Sequence, residues 1–136
     1  MSISTIERLA LGFAGLSGAA AVTLGAWAAH GLEAVVGPAA TELVRTGVSY
    51  QLWHVLALLL AAAMAGRSTT PRIHFAMTCA ATGFALGQIL FCGSLYALAF
   101  GLPRFLGAVA PLGGLAFILG WLCLFFAAIA GSSRRG

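Results

Sequence analysis

Two histidines carry most of what this chain could do as chemistry. His30 lies in the stretch GAWAAHGLE (Gly25–Glu33), at the end of the first long apolar run, and His54 sits in YQLWHVL. Neutral imidazole is a good ligand for haem iron or another metal. If each lies near the outer end of its span, the two differ in depth by about one or two helical turns of ~5.4 Å, so a bis-histidine haem is geometrically open. Other polar residues gather around them. Tyr50, Gln51 and His54, three and four apart, share one helical face in line with Ala57 and Ala61. Gln88, Cys92 and Tyr96 recur at i, i+4 and i+8, with Ser94 on the neighbouring packed face.

Other chemistries are poorly provided for. The only carboxylates are Glu7, Glu33 and Glu42, none inside an apolar run, and there is no HExxH, phosphate-cradling glycine loop or Ser–His–Asp arrangement. Cys79, Cys92 and Cys123 all lie in apolar runs without a CxxC pair. Cys79 and Cys92 would stand ~20 Å apart along one helix and cannot pair there, so the cysteines read as small packing residues. His74 follows Arg72 and reads as an interfacial residue. This inventory predicts a protein that is not an enzyme and holds neither a metal nor a resident cofactor, with haem or quinone as the alternative.

The elements that must position these residues are membrane helices. Hydrophobic residues make up 61% of the chain and charged residues 7%, against roughly 45–50% and about 25% in soluble domains. So few charges could not cover a soluble surface. A bilayer core needs about 20 apolar residues per helix, and four runs qualify: 9–29, 48–66, 73–100 and 105–130. Ala26–Ala28 imitates a signal-peptidase site, but the run is long and reads as a retained span. Thr70-Pro71 and Leu102-Pro103 mark breaks, because proline disfavours helix in the residue before it. The longest connection, 31–47, contains GPAATELVRTG, whose Glu42 and Arg45 suit a short interfacial helix between helices 1 and 2. The expected fold is all-α: an integral membrane four-transmembrane-helix bundle, one domain over residues 1–136.

Orientation follows from the arginines, since the chain has no lysine. Arg8, Arg67, Arg72, Arg134 and Arg135 fall on one side, Arg45 and Arg104 on the other, which puts both termini in the cytoplasm. Scattered between apolar runs, these arginines do not suggest nucleic acid. Trp27, Tyr50, Trp53 and Tyr96 then fall towards the outer interface. His30, Tyr50, Gln51, His54, Cys92, Ser94 and Tyr96 lie in the outer half, with Gln88 nearer mid-depth. Polar groups in lipid tend to face inward and meet one another, so one polar cluster is expected, with Glu33, Glu42, Arg45 and Arg104 at its rim. Small residues at helical spacing are expected at helix contacts: Gly12, Gly15, Ala19, Thr23 and Ala26 in span one, Ala57, Ala61 and Ala65 in span two, and Gly83, Gly87, Gly93, Ala97 and Gly101 in span three. No internal repeat is visible, which counts against an inverted-repeat transporter.

The four stretches LGAWAAHGLE, YQLWHVLALLL, GQILFCGSLYALAFG and APLGGLAFILGW, in that order, resemble the small membrane family called domain of unknown function 423. The resemblance covers about Leu24–Trp121. Its pattern carries over to His30 with Gly31, to Tyr50, Gln51 and His54, to Gly93-Ser94-Leu95-Tyr96, and to Pro111, Gly113, Gly114 and Trp121. Gly113 and Gly114 thereby join the expected packing residues. Cys92 departs from the pattern, standing where a serine is expected. The resemblance implies a four-helix integral membrane protein and transfers no activity.

The expected function is that of a non-enzymatic accessory or assembly subunit of a larger membrane complex in a bacterial inner membrane. Its partners would be the bilayer and other membrane subunits, or further copies of itself, and not nucleic acid. A small transporter or proton-linked carrier using the His/Gln/Tyr cluster is one alternative, and a haem- or quinone-binding subunit another. The sequence places His54 in hydrogen bonds to Gln88 or Tyr96, and His30 nearer water. His54→Leu is then expected to cost on the order of 1 kcal/mol, given ~0.6 kcal/mol for an average interhelical hydrogen bond. In thermal unfolding His30→Leu should cost little, and Gly87→Leu more than either.

Overall fold

Each apolar run becomes a helix whose ends are written in its flanking residues. A computed structural model describes residues 4–132; Arg134 and Arg135, counted above on the cytoplasmic side, lie outside the described residues. Helix α1 spans Thr5–His30. Ser4 caps it reciprocally: the Glu7 amide donates to Ser4 Oγ at 3.3 Å, and the Ser4 amide donates to Glu7 Oε2 at 2.9 Å, so two otherwise orphaned N–H groups are satisfied.

The connection after α1 differs from the expected single interfacial helix. A five-residue helix α2 (Leu32–Val36) ends at Gly37, whose φ of 83° is a left-handed conformation open to glycine. Pro38 then opens α3, which runs unbroken to Arg67. Proline fits the first helical turn, where its missing N–H is no loss, and no further proline interrupts this 30-residue helix. Span two therefore begins near residue 38 and not 48. Glu42 and Arg45, 3.6 Å apart, ride on its first turns.

The third span is a composite. Helix α4 (Pro71–Gly87) passes through a π-turn at Gln88–Cys92 into α5 (Gly93–Ala99). It stops where Gly101 adopts a φ of 80°. There the Leu102 amide reaches Ala97 O at 2.9 Å and the Gly101 amide Leu98 O at 3.2 Å, the paired bonds of a Schellman ending. A 3₁₀ turn at Arg104–Ala108 leads into α6 (Ala110–Ser132). The four candidate spans are 26, 30, 29 and 27 residues long, each enough at ~1.5 Å per residue to cross a ~30 Å hydrocarbon core.

Burial shows how the spans are arranged. One end of the bundle is closed by Ala65, Met77 and Ala127, with Ile6 against them. The other is closed by Ala28, Leu32, Val44, Val48 and Ala99. Successive spans thus run in opposite directions, and the first and last residues described share an end. The large side chains Leu16, Trp53, Phe75, Phe105 and Phe126 are exposed, as lipid-facing groups must be.

The tightest crossing joins α4 and α6, and glycine makes it possible. A Cβ at Gly83 would stand 2.9 Å from Ala116 O, and one at Gly120 would stand 2.7 Å from the Phe84 ring. A Cβ at Gly87 would strike the Phe117 ring, and one at Gly113 the backbone of Phe91. Helices in lipid associate through such close contacts, since exclusion from water no longer drives them together.

Eight of the expected packing residues lie elsewhere, among them Gly12, Thr23 and Ala26, exposed on α1, and Gly101, exposed where the third span ends. Gly15 and Ala19 are exposed on α1, Gly93 is exposed, and a Cβ at Gly15, Gly93 or Gly114 would meet nothing within 4 Å. Ala97 is half-buried. Helix α1 carries two lines of small residues. It buries Ala10, Ala14, Ser17, Ala21 and Ala28 and turns Gly12, Gly15 and Ala19 outward. The buried line contains a hydroxyl, Ser17, that bonds across to another span, whereas the hydroxyl on the glycine line, Thr23, donates to Ala19 O of its own helix at 2.9 Å.

Gly113→Ala is expected to cost roughly 1–3 kcal/mol, the usual penalty for overpacking. Gly15→Ala should be neutral or mildly stabilising, because alanine is about 1 kcal/mol better than glycine inside a helix. Reversible unfolding in mixed micelles measures both.

Candidate functional site

The interior polar side chains form two separate groups, not one cluster. The first joins three spans through Gln51, which is buried on α3. Its Nε2 donates both to Ser17 O at 2.9 Å and to Ser17 Oγ at 2.8 Å. Its Oε1 accepts from the Tyr96 hydroxyl at 2.5 Å. Ser17 Oγ in turn donates to Gln88 Oε1 at 2.6 Å, and Gln88 Nε2 donates to Phe84 O at 3.3 Å. The donors run one way, from Tyr96 through Gln51 and Ser17 to Gln88 and a backbone carbonyl. In a medium of low dielectric each bond of such a chain polarises the next.

Local backbone structure sets up this chain. The π-turn begins at Gln88 and holds both Gln88 and Cys92 inside the bundle. A π-turn adds a residue to the helical cycle and breaks the i→i−4 ladder locally. Two side chains bond to carbonyls at that place: Gln88 Nε2 to Phe84 O, and Ser94 Oγ to Phe91 O at 2.9 Å. Ser94 is therefore buried but serves its own helix. The bulged backbone at Phe91 comes against α6 where Gly113 offers no Cβ.

The second group centres on His54. Its Nδ1 lies 2.7 Å from Tyr50 O, and its Nε2 lies 3.2 Å from Trp121 Nε1. An indole N–H can only donate, so Nε2 accepts and the proton sits on Nδ1. The imidazole is held as a single neutral tautomer. Its ring stacks on Phe117 with centroids 3.6 Å apart and planes 18° apart, and it sees Phe84 at 5.7 Å and the edge of Trp121 at 6.1 Å. The expected bonds from His54 to Gln88 or Tyr96 do not form. His54 faces α6, whereas Gln51, one turn away, faces α1.

The remaining polar residues serve the ends. His30 is exposed at the last residue of α1, apart from both groups. Tyr50 is 45% exposed, its ring 4.7 Å from Phe91. Arg45 Nη2 donates to Ala28 O at 3.1 Å, satisfying a carbonyl in the last turn of α1 as cations at helix C-termini do. At the opposite end, His74 Nδ1 lies 2.9 Å from Ala65 O and so donates to the last turn of α3. Glu33 and Arg104 are exposed. Among the described residues, no buried side-chain nitrogen or oxygen lacks a hydrogen-bond partner.

Two members of these groups were not singled out as polar partners from the sequence. Ser17 is one serine in a run of glycine and alanine, and the signal that could have found it is its spacing from Ala10, Ala14 and Ala21. Trp121 was marked by the family pattern but sits on a mostly exposed face, and only the fold brings its N–H to His54.

The two groups should behave independently. Ser17→Ala combined with Gln51→Leu is expected to cost less than the sum of the singles, by about 0.6 kcal/mol or more, because the bond between them is lost only once. Ser17→Ala combined with His54→Leu should be additive. Equilibrium unfolding of the six proteins decides both.

Known proteins place the chain. Residues 24–114 match the family described as protein of unknown function (DUF423). The chain is 40% identical over 124 residues to the UPF0382 inner membrane protein YgdD of Escherichia coli K12, covering 90% of this chain and 91% of that one. It is 40% identical over 109 residues to the UPF0382 membrane protein YwdK of Bacillus subtilis, covering 80% and 86%. A UPF0382 membrane protein of Haemophilus influenzae is 37% identical over 118 residues, covering 87% and 91%. No solved structure matches. A chain with four membrane-spanning helices, matched over most of its length by inner membrane proteins, is a multi-pass inner membrane protein and belongs to the DUF423 family.

Proposed function

We propose that this protein is a non-enzymatic subunit of a larger membrane assembly, acting through the packing of its helices. The observation that carries this reading is the outward face of α1. Gly12, Gly15 and Ala19 lie exposed along it, and nothing stands within 4 Å of a Cβ at either glycine. A line of small residues is what close approach of a second helix in lipid requires. The interior adds support: Gln51, Ser17, Gln88 and His54 are bonded to other groups of the chain, as suits a scaffold. A carrier would need those same bonds to open in turn as a solute passed.

The test is the native mass after gentle extraction from a membrane where the protein is expressed at its natural level. The expected particle contains other polypeptides, and Gly15→Leu should release the chain from it without altering its unfolding. Recovery of a lone 13.9 kDa chain, or an association untouched by Gly15→Leu, would overturn the proposal.

A further inference from the structure

Helix α1 leans on α3 and scarcely meets α4. A cleft of about 390 Å³ remains between α1 and the π-turn of the third span, and Gln51 lies at its floor. Phe13 and Leu16 line one wall, and Ile89, Gly93 and Tyr96 the other. Its size is within the roughly 300–1,000 Å³ of small-molecule sites, which pair apolar walls with a few placed polar groups. The polar groups here are the hydrogen-bonded chain itself: Ser17, Gln51, Gln88 and Tyr96 all border the cleft.

The chemistry of the floor limits what can enter. The hydroxyl hydrogens of Ser17 and Tyr96 and both amide hydrogens of Gln51 are committed within the chain. Gln88 Nε2 carries two hydrogens and donates one of them, to Phe84 O. The donor left over in this group is therefore one Gln88 N–H, and its natural complement is a carbonyl oxygen. No charged residue lines the cleft, so an ionised head would be costly there. Ser17 stands nine residues from Arg8 and thirteen from His30, roughly 13 and 20 Å along the helix. That is mid-membrane, below the level where a phospholipid phosphate resides.

From these constraints we propose that the cleft between α1 and the π-turn binds a neutral, lipid-soluble quinone, one ring carbonyl accepting from Gln88 and the alkyl tail leaving sideways into the bilayer. Binding is independent of the subunit role argued above.

The proposal is tested on the full chain in mixed micelles with a decyl-chain benzoquinone as probe, read by intact-protein mass spectrometry and by thermal unfolding. One quinone per chain should be retained, and Tm should rise with quinone concentration. Gly93→Leu places a side chain in open space on the cleft wall and should weaken retention at least tenfold, with its own Tm unchanged when no quinone is present. Ala20→Phe, on the opposite wall, provides the same test should the first variant fail to fold. Gly114→Leu, away from the cleft, should bind as the parent does. Absence of a one-to-one adduct, equal retention by the cleft-filling variants, or loss of a bound phospholipid and not of quinone when the cleft is filled would each overturn it.

Discussion

The hydrogen bonds of Gln51 are the constraint on which the arrangement of this bundle depends. An amide in hydrocarbon has no water to fall back on, so each of its groups must find a protein partner. Gln51 reaches α1 through Ser17 and the third span through Tyr96, and Ser17 carries the connection on to Gln88. These bonds specify which face of α1 turns inward. Dispersion alone would choose weakly between the alanine line and the glycine line of that helix. The hydroxyl of Ser17 decides in favour of the alanines.

A second dependence runs from the π-turn to α6. The bulge holds Gln88 towards α1 and brings the Phe91 backbone against α6, which only glycine at 113 accommodates. Gly83, Gly87 and Gly120 continue the same close crossing of α4 and α6, while α1 packs on α3 and scarcely meets α4. His54 meets this crossing from α3 through the Phe84 and Phe117 rings. Fixed between Phe117 and Trp121, it orients aromatic packing and stands apart from the chain of donors one turn away. The protein thus has a glycine-sealed side and an open side, and the lateral cleft and the exposed face of α1 both belong to the open one.

The bonds at the helix ends complete this division. Arg45 holds the last turn of α1 and His74 the last turn of α3, each using a cationic or N–H donor where helix carbonyls are left over. Both join neighbouring spans at the membrane surface. Short connections and these two ties keep the spans in register, while the middle of α1 is held by Ser17 alone among its polar side chains.

Periodicity and the cost of polar groups in lipid can be read from the residues alone, and much follows from them. Four spans, the proline breaks at Pro71 and Pro103, the inward turn of Gln51, His54 and Gln88, and the family through its four motifs were all legible there. Each rests on residues close in the chain or on a composition that admits a single solvent. The tertiary structure decided which inward-facing groups meet. His54 pairs with Trp121 and not with Gln88, Ser17 is the link of the network, and Gly15, Ala19, Gly93 and Gly114 lie outside the helix contacts while Gly83, Gly87 and Gly113 lie within them. Helical spacing defines a face but not the neighbour opposite it. A π-turn that re-aims a span and the rotation of α1 about its axis are set by side chains far apart in sequence, satisfying one another where water is absent.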